Sequence, residues 1–141
     1  RSAGFLDRMS NVPAVNENDA LRGVILLLDG ADTTETFAQR VEALGARGLV
    51  KPCWAFDADR PITKGRLAYM IYKAANISGG ATLSVFGPSE RYCLKELQYQ
   101  GFMTPGDAYS TVTGMQYVAV LSRADAYMQT GEIPDVIRAG N

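Results

Sequence analysis

Apolar residues return at helical spacing along five stretches of this chain, while strict alternation is weak throughout. Leu21, Val24, Ile25 and Leu28 share one helical face, with Asn16 or Asn18 placed to cap it and Gly30 to end it. Phe37, Val41 and Leu44 make a second stripe, which Asp32 or Thr33 would cap and which should end near Gly45 to Gly48. Glu35 then falls in the first turn, beside the positive end of the helix dipole. Thr63 caps a third helix that carries Leu67, Met70, Ile71 and Ala74 inward and runs to about Asn76. Ile62 and Leu67 stand as its hydrophobic staple.

The fourth helix starts behind Pro88 with Ser89 as cap and Glu90 in its first turn. It turns Tyr92, Cys93, Leu94 and Leu97 inward and stops at Gly101. A fifth begins at Thr111 or Thr113, with Tyr117, Val120, Leu121 and Ala124 facing the core. The pattern predicts an all-α protein of five helices joined by long, ordered loops. The loop "LVKPCWAFDADRP" should tuck Trp54 and Phe56 against the helices, since each ring left in water forfeits about 1.5–3 kcal/mol. Ser78 to Gly80 break the chain, Thr82 to Phe86 read as a short extended piece, and the tail reads as an extended arm.

Two parts of the pattern match one another. At a shift of 53 residues Val41 meets Leu94, Leu44 meets Leu97, Gly48 meets Gly101, Pro52 meets Pro105 and Phe56 meets Tyr109. After three extra residues in the first copy, a shift of 50 lays Thr63 on Thr113, Leu67 on Tyr117, Met70 on Val120 and Ala74 on Ala124. These are a stripe, its terminating glycine, a loop proline and aromatic, a cap and a second stripe, in one order. A helix–loop–helix unit therefore occurs twice. The helix opened by Val15 and Asn16 can be laid on Ile62 and Thr63 as a partial third copy. Units of this kind bury their apolar faces on one another. The expected organisation is a single domain, 1–141: an N-terminal segment with a partial repeat helix (1–35), repeat one (36–77), repeat two (88–128) and the extended tail (129–141).

The order of signals in "ALGARGLV", "FDADRPITKGRLAYMIYKA", "LKELQYQGFM" and "TVTGMQYVAVLSRA" resembles the S-layer homology domain, over roughly residues 36–128. The resemblance implies tandem helix–loop–helix repeats packed as one compact domain, and non-covalent attachment to the bacterial envelope through cell-wall polysaccharide or peptidoglycan. That family's second helix opens Ile-Thr-Arg-Ala-Glu, whose Thr and Arg help line a saccharide groove. Here the first copy reads Ile62-Thr63-Lys64-Gly65-Arg66 and the second Val112-Thr113-Gly114-Met115-Gln116. The first keeps the threonine and a cation, the second the threonine alone, and lysine lacks arginine's planar, bidentate grip.

Charge and chemistry narrow the classes further. With 14 basic and 15 acidic residues there is no basic surplus for nucleic acid, and no apolar run reaches the ~18 residues of a membrane span. The chain opens on Arg1 rather than Met, so the lack of a visible secretory signal carries no weight. The absence of histidine removes the commonest metal ligand and general base. Asp57 and Asp59 begin a calcium-loop spacing that lacks the later glycine and glutamate, so they read as solvated loop carboxylates, one partnering Arg60 or Arg66. Cys53 and Cys93 read as ordinary buried thiols, a disulfide between them being the alternative. Tyr69 and Tyr72 flank the stripe of their helix and should be the more exposed tyrosines, offering rings to sugars.

The expected function is a non-enzymatic attachment module of the bacterial cell envelope, in the periplasm or on the outer surface, without cofactor or metal. Its expected ligand-binding residues are Thr63, Lys64, Arg66, Tyr69 and Thr113, in a groove between repeats. Replacing Lys64 and Arg66 by alanine should then weaken wall binding with helicity intact. The alternative is an accessory subunit that has lost glycan binding and packs into a larger outer-membrane or surface-layer protein complex, which the departures at Lys64–Arg66 and Gly114–Gln116 favour.

Overall fold

A computed structural model of the chain describes residues 2–77 and 87–133. Among these residues it contains helices and no strand: α1 (Ser2–Met9), α2 (Glu17–Asp29), α3 (Phe37–Ala46), α4 (Lys64–Ala74), α5 (Glu90–Gln100) and α6 (Gly114–Thr130). The all-α class follows from caps and stops that act locally. Asn16, Thr63, Ser89 and Thr113 each accept a hydrogen bond from the backbone N–H three residues on, satisfying one of the donors that a helix start leaves over. At Thr113 the bond is reciprocated by Gln116, which completes a capping box. Gly30 and Gly101 end α2 and α5 in the left-handed conformation that glycine adopts without strain.

Four differences from the sequence expectation have physical causes. The sixth helix, α1, has Phe5 and Met9 on one face, and both are buried where it packs along α6. The cap of α3 is Thr36, not Asp32 or Thr33, so Glu35 stands before the helix and its N–H donates to Gln39 Oε1 at 2.7 Å. Asp32 is drawn elsewhere: it accepts from the Thr34 N–H and from Arg40 Nε, both at 2.9 Å. Burial opposes its ionisation, but these bonds outweigh that and hold its carboxyl below the usual range. Tyr69 and Tyr72 are buried rather than exposed, because α4 packs against α2 on one side and α5 on another. Finally, α6 runs to Thr130 and is capped by Gly131, so the helix takes in the first two residues of the expected tail. The expected extended piece at Thr82–Phe86 lies outside the described residues.

The centre of the fold is where α2, α4 and α6 begin. Val15, Ile62 and Val112, the residues before the three caps, are all buried. The Val15 N–H donates to the Val112 carbonyl at 2.8 Å, and the Ile62 N–H to the Val15 carbonyl at 2.9 Å. The first amide of each helix, a donor with no partner inside its own helix, is taken by the segment leading into another. Glu17 donates to the Arg60 carbonyl, Lys64 to that of Ser110 and Gly114 to that of Val12, each at 2.8 Å. The three entries thus close a cycle. Two glycines admit it: a Cβ at Gly114 would lie 1.7 Å from the Met9 carbonyl oxygen, and one at Gly65 would lie 3.0 Å from that of Ala108. The glycines that break the Ile-Thr-Arg-Ala-Glu pattern therefore sit where neighbouring backbone lies against the helix start.

Candidate functional site

The loop from Lys51 to Pro61 is organised by a carboxylate from another part of the chain. Glu17, in the first turn of α2, is buried, and its Oε1 accepts from the Asp57 N–H at 2.9 Å. Its Oε2 accepts from Arg60 Nε at 2.9 Å and from Arg66 Nη1 at 3.2 Å. Both guanidinium groups also donate to the Ala55 carbonyl. The Arg66 guanidinium lies 4.9 Å from the centroid of Trp54 and 5.9 Å from that of Phe56. Trp54 meets Phe56 and Tyr69 edge to face, and its Nε1 donates to Glu90 Oε2 at 2.8 Å. The expected packing of Trp54 and Phe56 is thus found, with Trp54 buried and Phe56 half-buried. Asp57 Oδ1 accepts from the Asp59 N–H at 3.0 Å, a turn contact, and it is Glu17, not either loop aspartate, that pairs with Arg60 and Arg66.

Above this network lies an open groove of about 610 Å³. It is lined by Lys51, Arg60, Thr63 and Arg66 from the loop before α4 and its first turn, by Ser89, Glu90 and Arg91 at the start of α5, by Tyr109 from the loop before α6, and by the buried Glu17. Four cations face two carboxylates, and both carboxylates are already engaged, Glu17 by the arginines and Glu90 by Trp54. The surplus is positive. Arg91 is exposed, and Tyr109, 77% exposed, presents its ring to solvent. Charged donors, two hydroxyls and an open aromatic face make a surface that suits a polyhydroxy ligand with negative charge.

Of the residues expected to bind, the structure brings Thr63 and Arg66 to this groove. Arg66 is held there by Glu17, Ala55 and Trp54. Lys64 turns away: it is buried, and its Nζ donates to the Thr111 carbonyl at 2.7 Å. Tyr69 lies under Trp54 with Lys51 Nζ 5.1 Å from its centroid, and burial pushes its phenol above the usual range. Thr113 caps α6 outside the groove. A double replacement of Lys64 and Arg66 would therefore disturb internal contacts instead of reporting on a ligand. Sequence reasoning missed Glu17, Lys51, Arg60, Ser89, Arg91 and Tyr109 as groove residues. Tyr109 stands out in the sequence only as the residue that a shift of 53 lays on Phe56.

Both cysteines are free, and Cys53 is exposed rather than packed. Cys93 is buried, and burial pushes its thiol up to about 12. Among the described residues no cluster of three histidine, cysteine, aspartate or glutamate side chains could hold a metal, and no helix is long and apolar enough to cross a membrane. No family model matches the chain, and no curated protein matches it.

Proposed function

We propose that this chain is a non-enzymatic attachment module of the bacterial cell envelope that holds an anionic cell-wall glycan in the groove between α4 and α5. The observation that carries the reading is the composition of that groove: Lys51, Arg60, Arg66 and Arg91 against two engaged carboxylates, with Tyr109 open to stack on a sugar face. The resemblance to S-layer homology repeats supplies the ligand class, peptidoglycan or a wall-linked polysaccharide, and the envelope location. The groove supports it on chemistry that differs from the Ile-Thr-Arg-Ala-Glu pattern, since Lys51, Arg91 and Tyr109 come from the loop before α4, from α5 and from the loop before α6.

The test is co-sedimentation with protein-stripped bacterial sacculi, with and without their wall-linked polymers. The expected result is saturable pelleting that falls at least about tenfold in affinity for Arg91→Ala with Tyr109→Ala, the loss of one charge-assisted contact and one stacking contact. Both side chains are exposed on the groove rim, so helicity should be unchanged. No pelleting by the folded protein, or pelleting indifferent to both changes, overturns the assignment. A second reading, an interaction subunit of an envelope protein complex, is favoured by the exposure of Tyr99 (87%) and Met115 (71%), large apolar side chains outside the groove. It predicts co-purifying envelope proteins and no pelleting.

A further inference from the structure

A second, smaller cavity lies on the other side of α4's first turn. It has a volume of about 180 Å³ and is walled by Phe102, Met103 and Met115, with Gln116 at its edge. Two buried cations line it, Lys64 at 7% exposure and Arg123 at 9%. Lys64 is partly satisfied by the Thr111 carbonyl. At Arg123 the Nε is buried without a hydrogen-bond partner among the described residues, and neither cation has a carboxylate within ion-pair distance there. A buried guanidinium nitrogen without a partner, on a side chain with no counter-charge beside it, is disfavoured unless something supplies an acceptor.

We propose that this cavity is a binding site for a small organic carboxylate, whose oxygens pair with Arg123 and Lys64 and whose hydrocarbon part lies against Phe102, Met103 and Met115. Arginine's planar fork matches a carboxylate, and the largely apolar wall excludes a bare, strongly hydrated anion such as phosphate as the preferred occupant. Size fits the same class: at ~30 Å³ per water, the cavity holds the volume of about six waters, enough for a carboxyl group on a short chain or one ring. The site is independent of the groove between α4 and α5, with which it shares no lining residue, so either assignment can fail without the other.

The test uses the intact chain and the probes butyrate, hexanoate and benzoate at millimolar concentration, each beside its neutral amide and beside inorganic phosphate, followed by nuclear magnetic resonance shifts of the 102–104 and 115–123 amides. The expected result is saturable binding of at least one carboxylate, with its amide and phosphate weaker by about tenfold or more. Arg123→Met should remove that preference, and Ala119→Leu, which adds side-chain volume to the cavity lining while keeping both cations in the sequence, should abolish binding. If no carboxylate binds, or if amide and carboxylate bind alike, the proposal is overturned and Arg123 is a cation served by water alone. If Arg123→Met fails to fold, the selectivity series on the native chain and Ala119→Leu still decide.

Discussion

Replacing Gly114 by alanine asks the fold to choose between α1 and α6. The new Cβ would lie 1.7 Å from the Met9 carbonyl oxygen, 2.9 Å from its carbon and 3.0 Å from the Val12 amide nitrogen. All three are backbone atoms, so no side chain can swing aside. Relief requires the segment from α1 to Val12 to lift from the start of α6. That breaks the bond from the Gly114 N–H to the Val12 carbonyl and exposes Phe5 and Met9, each 3% exposed in the native fold. Two buried side chains at about 1.5–3 kcal/mol each and one hydrogen bond near 1 kcal/mol sum to about 4–7 kcal/mol. Alanine's better helix propensity returns about 1 kcal/mol, leaving a loss of about 3–6 kcal/mol. A domain this size has about 5–15 kcal/mol in all, so G114A should be severely destabilised or unfolded. Urea denaturation followed by circular dichroism measures the loss, and hydrogen exchange shows whether the α1 amides lose protection first. A stability within 1 kcal/mol of the native chain with α1 still protected would refute the close approach on which the argument rests.

Two more outcomes follow from buried chemistry. Glu17→Gln should cost about 2–4 kcal/mol, below the ~3–5 kcal/mol of a fully buried pair because Arg60 is partly exposed, with the loss read by urea titration and lessened by Arg60→Ala in the same chain. In the native protein a thiol reagent near neutral pH should modify Cys53 promptly and Cys93 only on unfolding, giving one fast equivalent of two by mass spectrometry. Because folding raises the Cys93 pKa, its contribution to stability is complete below the ordinary thiol value and is lost as pH rises from there through about 12; Cys93→Ala should make the alkaline slope shallower, leaving the part due to the buried phenols of Tyr69 and Tyr117.

What the sequence made legible was what is decided within a few residues. Thr63, Ser89 and Thr113 cap their helices because a hydroxyl reaching the amide three residues on is a local event, and Gly30 and Gly101 stop theirs for the same kind of reason. The cap of α3 was illegible, since Asp32, Thr33, Thr34 and Thr36 are all chemically fit, and the choice falls to Arg40, which takes Asp32 away. Tyr69 and Tyr72 were misjudged because a one-stripe argument assumes one buried face, and α4 has neighbours on more than one. Glu17 was read by nothing: in the chain it is an ordinary first-turn acid, and its partners Arg60 and Arg66 lie more than forty positions away. Lys64 and Arg66 looked equivalent as cations two apart, yet two positions along a helix point to different sides, and one faces the groove while the other enters the second cavity.

The cycle of helix entries also governs how the chain can come into being. Its last link joins Gly114 to Val12, so on a ribosome the ring stays open until α6 has emerged, and the amide that begins α4 waits for the Ser110 carbonyl. A nascent chain holding only α2 to α4 has its caps and stripes but an unfinished centre, with Val15 and Ile62 lacking Val112 beside them. Its centre is complete only when segments about a hundred positions apart have met, and such closure costs loop entropy before its contacts repay it. The joint that holds the mature fold together is therefore the one that a fragment, however well its separate helices are formed, does not have.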